Sequence, residues 1–231
     1  MPSQKLPQPS LFLLDVSTGQ FEIFPAVWVA IEDLVLPDAE IRHKALDRLL
    51  QLNAPRFSPI VSYLLVTRLT DPDIKVRARI VKTLSEILMP DDEGNPAPDN
   101  VRNCVILNLS QSRTRQIFAL LQVLVDDPSL ESQAAQLINA CPYAGTHLVD
   151  IINNHKASIE VRKQAVGMIG RVGFLDALSS LERLESKLEN RLNGQKTMPF
   201  APTGGWDEVD LLPSIRTALN CLRTIDISLS R

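Results

Sequence analysis

Aromatic side chains make up only 5% of this 231-residue chain, so a core must be built from Leu, Ile, Val and Ala. Their scarcity also leaves few surfaces on which unpaired bases could stack. Cysteine is rare: Cys104, Cys141 and Cys221 are an odd number at irregular spacing. That argues against a disulfide framework, fits a reducing cytosol, and makes each cysteine a small buried hydrophobe. Charge of one sign is not in excess; the formal net charge of −3 exerts no general pull on nucleic acid. No apolar run is long enough to span a bilayer, and the start MPSQKLPQPS lacks the layout of a signal peptide. No membrane association is expected, and a cytoplasmic location is the default.

Chemical motifs are missing as well. His43, His147 and His155 have no second ligand at metal spacing, and the oxygen pattern of a calcium loop does not occur. Neither of the glycine-rich phosphate-binding patterns is present, nor is G-x-S-x-G. No catalysis, cofactor or metal is therefore assigned.

What is there is periodicity. Asp71–Leu88, DPDIKVRARIVKTLSEIL, opens with a helix-capping Asp-Pro-Asp. Val76, Ile80, Leu84, Ile87 and Leu88 then follow on one face of a helix, and Met89-Pro90 stops it. The doublet Val76-Arg77, with small or apolar residues four, five and eight positions after Val76, recurs at Ile41-Arg42, Val101-Arg102, Leu130-Glu131 and Val161-Arg162. It recurs more weakly at Ile215-Arg216. The anchors stand 25 to 35 residues apart, with one interval of 54. Such spacing reads as a repeat array of two-helix units with insertions.

This pattern resembles the HEAT repeat and its bacterial HEAT-like relatives over roughly Ala26 to Arg231. The resemblance implies an all-α fold: an α-solenoid of about five HEAT-like helix pairs, right-handed, with the second helices lining the concave side. It also implies that turn aspartates (Asp38, Asp71, Asp73, Asp127) and helix arginines (Arg42, Arg77, Arg162) bond to one another between repeats. Residues 1–24 form an N-terminal extension and 25–231 the repeat domain. Leu11–Val16 and Phe21–Phe24, flanking Ser17-Thr18-Gly19-Gln20, read as a short β-hairpin that must pack on the first helices to be stable.

The expected pairs are Pro25–Leu36 with Asp38–Leu52, Ser58–Leu69 with Asp73–Leu88, Arg113–Val125 with Ser129–Asn139, and Gly145–Asn154 with Ser158–Gly170. Asp99–Leu109 stands alone. Phe174–Leu192 and Glu208–Ile225 close the array, with Pro213 either interrupting the last helix or lying in its first turn. Gly173 closes the helix before it. Met89–Pro98 and Asn193–Asp207 are loops.

Two groups are candidates for binding. Lys44, Arg48, Lys75, Arg79 and Lys82, extended by Lys163 and Arg171, place positive charge along the second helices. The strip suits an acidic peptide or a phosphate backbone, or is an ordinary solvated face. Phe200 and Trp206, in the second loop, are anchors for a partner or fold back onto the last repeat. The reading is a non-catalytic protein-interaction scaffold. Nucleic acid is the disfavoured rival, and a phycobilin-lyase-like helper is a third reading that no residue here supports directly.

Overall fold

The computed structural model describes residues 24–196 and 206–229, with helices as the regular structure and no strand among them. The hairpin expected over Leu11–Phe24 lies outside the described residues apart from Phe24. In chain order the helices are α1 (Pro25–Asp33), α2 (Ala39–Gln51), α3 (Ala54–Phe57), α4 (Pro59–Thr67), α5 (Ile74–Leu88), α6 (Asp99–Ser110) and α7 (Thr114–Asp126). They continue with α8 (Glu131–Asn139), α9 (Ala144–Asn153), α10 (Ile159–Val172), α11 (Leu178–Lys196), α12 (Trp206–Val209) and α13 (Leu212–Leu229).

The repeated doublet marks a fixed distance from a helix start. Asp38, Asp73 and Ser158 cap α2, α5 and α10, accepting from the backbone N–H of Glu40 (2.9 Å), Val76 (2.9 Å) and Val161 (3.4 Å). Asp127 plays the same part for the 3-10 turn leading into α8, accepting from Ser129 N–H at 3.0 Å. The apolar member of the doublet lies three residues after each of these caps; Val76, Leu130 and Val161 are buried and Ile41 is half-buried. Capping therefore sets where the core-facing stripe begins, and the charged member follows on the next position around the wheel.

Some boundaries differ from expectation. α1 ends at Asp33 rather than Leu36. Ala54-Pro55 ends the second helix and also opens α3: Asn53 takes a left-handed conformation (φ 52°), and proline fits the first turn that follows. The closing helices start later than Phe174, because Leu175–Ala177 is a 3-10 turn, and α11 runs to Lys196 into the expected loop. Pro213 sits in the first turn of α13. Gly173 closes α10 at φ 87°, as expected.

Packing is substantial between helices close in order. α1 lies on α2, α4 packs against α3, α5 and α6, and α5 also meets α7 and α8. α7 meets α9 and α10, and α10 meets α8, α9 and α13. The buried apolar side chains, from Val27 to Leu222, form one connected core. α10 and α13 approach very closely at Gly170, where a Cβ would come within 2.8 Å of the Ala218 Cα.

Three doublet arginines are buried, and each bonds across elements. Arg42 donates to the carbonyls of Leu36 (2.9 Å) and Pro37 (2.7 Å) and to Asp71 Oδ1 (2.9 Å) in the turn before α5. Arg77 donates to Ala119 O (3.2 Å) and Gln122 Oε1 (2.8 Å) of α7. Arg162 donates to Ile152 O (2.7 Å), in the last turn of α9, and reaches Glu208 at 3.4 Å. The Ile152 carbonyl, at the end of α9, has no partner within its own helix, so Arg162 of the next helix meets a real need there. Asp71 and these arginines are framework.

Candidate partner-binding face

α2, α5, α8 and α10 are neighbours in that order, and polar contacts link each to the next. Arg79 of α5 forms an ion pair with Asp47 of α2 and reaches the carbonyl of His43 at 3.4 Å. Ser85 Oγ donates to Gln136 Oε1 of α8 at 2.7 Å. Arg171 of α10 lies 2.9 Å from Glu131 Oε2 and donates to Ser132 Oγ at 3.1 Å, both at the start of α8. Arg79–Asp47 and Arg171–Glu131 lie at the exposed sides of the helices, whereas Ser85 is buried and joins α5 to α8 beneath the surface.

The structure divides the basic strip. Lys44, Lys75 and Lys82 are exposed and have no carboxylate partner among the described residues. Arg79 and Arg171 face the carboxylates named above, and Arg48 lies 3.9 Å from Asp33 of α1. Lys163 is half-buried on α10. The strip is therefore a mixed surface with three outward lysines rather than an unbroken run of free cations. Trp206 is the first residue of α12, and Phe200 lies outside the described residues.

Two features of this face have no clear mark in the sequence pattern. His43 Nε2 lies 3.4 Å from Asp73 Oδ1, at the start of α5. The bond from Val76 N–H, more than the nearby imidazole, holds the Asp73 carboxyl below its ordinary range and outweighs the effect of burial. Arg56, in α3, clasps the loop after α5. It donates to Asn95 O at 2.5 Å and lies 3.2 Å from Asp91 Oδ2, while Asp91 Oδ1 accepts from the N–H groups of Glu93 (3.1 Å) and Asn95 (2.8 Å). Beside this clasp a groove of about 430 Å³ is lined by Lys82, Glu86, Met89, Asp92 and Gln133. The one hint of Arg56 in the sequence is an acidic loop that needs a counter-charge.

Away from this face several titratable groups are held in contacts within the fold. Burial pushes the Cys141 thiol up to about 11, and its Sγ lies 3.1 Å from Leu109 O. Cys104 is raised by burial as well. Burial would raise the Glu208 carboxyl, but His155, Arg191 and Arg162 around it prevail and hold it below its ordinary value. His147 Nδ1 is 2.9 Å from Thr114 Oγ1. Among the described residues no group of three or more His, Cys, Asp or Glu is placed to hold a metal ion, and no helix is long and apolar enough to cross a membrane. No family model matches the chain, and no curated protein matches it.

Proposed function

We propose that this chain is a HEAT-like array of stacked helix pairs that binds another protein through the exposed face of its second helices, α2, α5, α8 and α10. The observation that carries the reading is the bridging of those four helices by Arg79–Asp47, Ser85–Gln136 and Arg171–Glu131. A broad surface built from rigid elements and rimmed with outward lysines suits a macromolecular partner with acidic side chains. Nucleic acid is the weaker reading, because carboxylates on the same face already meet Arg79 and Arg171 and would repel a phosphate backbone. No catalytic role is assigned.

The test is affinity capture from native cells with the natural chain and with Lys75→Glu/Lys82→Glu, whose side chains are exposed and whose replacement is expected to leave the thermal unfolding curve in place. A stoichiometric protein partner is expected, with affinity reduced on the order of tenfold or more by the double reversal at low salt. Undiminished affinity would move the binding face elsewhere, and salt-sensitive binding of duplex DNA in fluorescence anisotropy would replace the reading.

A further inference from the structure

Of the three buried doublet arginines, two end on a carboxylate. Arg42 meets Asp71 at 2.9 Å and Arg162 reaches Glu208 at 3.4 Å, each through Nη2. Arg77, 8% exposed, has no ion pair among the described residues. Its Nη1 donates to two neutral oxygens of α7, Ala119 O and Gln122 Oε1, and neither Nε nor Nη2 has a partner there. Burial pulls this guanidinium below its ordinary value; Asp71, Asp73 and Asp126 oppose that through space, but none of them pairs with it. A buried charge without a counter-ion is costly, and such groups are ordinarily paired. The missing partner coincides with an opening. Arg77 lines a pocket of about 370 Å³ where the turn Thr70–Pro72 meets α7, together with Arg115, Phe118 and Gln122. Arg115 is exposed and unpaired among the described residues. Nε is sealed from solvent, so Nη2 is the donor that a ligand meets. The Asp71 side chain is wholly covered and already held by Arg42, so it offers the pocket no acceptor.

We propose that this pocket receives the carboxylate of an acidic side chain from a partner protein, met by Arg77 Nη2 and by Arg115. The proposal rests on the reading of the chain as a protein binder and adds a second contact point, since the pocket includes none of the outward lysines of the second helices. The fold supplies the precedent. Arg42 and Arg162 take a carboxylate from an element later in the chain, and no described residue supplies one to Arg77. Arginine is suited to the task, because its planar fork stays charged when buried and grips a carboxylate by hydrogen bonds. A single carboxylate fits better than a phosphate: three aspartates already act on Arg77 and repel a dianion more strongly. Phe118, half-buried, offers an apolar wall to the methylenes of the incoming side chain.

The probe is glutamate capped at both ends, N-acetyl-glutamate methylamide; it needs no natural partner, so its failure is distinct from a failure to capture one. Titrated into the full chain at constant ionic strength, it should shift the side-chain N–H resonances of Arg77 saturably in nitrogen-15 NMR. Capped glutamine, the neutral isostere, should bind at least about tenfold more weakly, and Arg115→Gln, a change at an exposed position, should weaken capped glutamate by a similar factor. Gln122→Glu installs a carboxylate from α7 itself. It should raise the melting temperature by about 2–4 °C and abolish the response to capped glutamate. Four results would each overturn the proposal: no saturable shift at Arg77, an equal response to capped glutamine, tighter binding of inorganic phosphate or succinate than of capped glutamate, or a Gln122→Glu chain that melts no higher than the natural one.

Discussion

Arg42 and Arg102 occupy the same place in the repeated doublet, yet they have different lives. Arg42 is 3% exposed and bonds to three groups, ending on Asp71 in the turn of the next helix pair. Arg102 is half-buried and pairs with Asp99, one turn back on its own helix. Both helices offer the arginine close to the helix start; what differs is what comes next. The turn before α5, which follows α2 and the short helices α3 and α4, carries Asp71 within reach of Arg42, whereas α6, packed on α4, leads directly into α7 and Arg102 finds Asp99 on its own helix. The doublet encodes a helix start and a reach, and the neighbour decides whether that reach becomes a buried bond. Arg216 teaches the same lesson at the end of the chain: it turns to Glu189 (2.6 Å) on α11 and remains exposed.

The comparison can be broken at several points. Arg42→Ala should be the most damaging single change. It strands the buried Asp71 carboxylate and should lower unfolding free energy by about 3–5 kcal/mol in urea titrations. Gly170→Ala follows, at about 1–3 kcal/mol, because α13 would have to move away from α10. A Cβ at Gly167, three residues earlier, would meet nothing within 4 Å, so Gly167→Ala should stabilise by about 1 kcal/mol through helix propensity. Two glycines one turn apart then give opposite signs in the same thermal melt.

The Glu208 cluster sharpens the contrast at a third arginine. Its carboxyl is held below its ordinary value in the fold, so the stability it contributes is complete above the unfolded-state value near 4.5 and is lost as pH falls through the folded-state value. Glu208→Gln should flatten that acid slope in pH-dependent melts and cost under about 1 kcal/mol at neutral pH, the cluster being partly solvated. Arg102→Ala should do least, within about 0.5 kcal/mol, like other solvent-facing pairs one turn apart.

Much of this arrangement was legible in the sequence, for a physical reason. Capping residues, proline positions and the apolar face act within one turn of the chain, so α2, α5, α10, the glycine at 173 and the first-turn role open to Pro213 could be read locally. The pairing of Arg42 with Asp71 followed from a resemblance and is found at 2.9 Å. α3 could not be read because it depends on one left-handed residue, Asn53, whose conformation leaves no periodic trace. The division of the basic strip was hidden for a different reason. Arg79 meets Asp47 thirty-two positions away, and the register of two neighbouring helices is set by core packing rather than by the spacing of charges.

The most direct test of the claim that buried arginines join consecutive helix pairs is a double-mutant cycle on Arg42 and Asp71, measured by urea unfolding of Arg42→Met, Asp71→Leu and the double variant. The account predicts two costly single changes and a double variant that recovers more than half of the loss, giving a coupling of at least about 2 kcal/mol. Additive losses, with no coupling beyond about 0.5 kcal/mol, would contradict it.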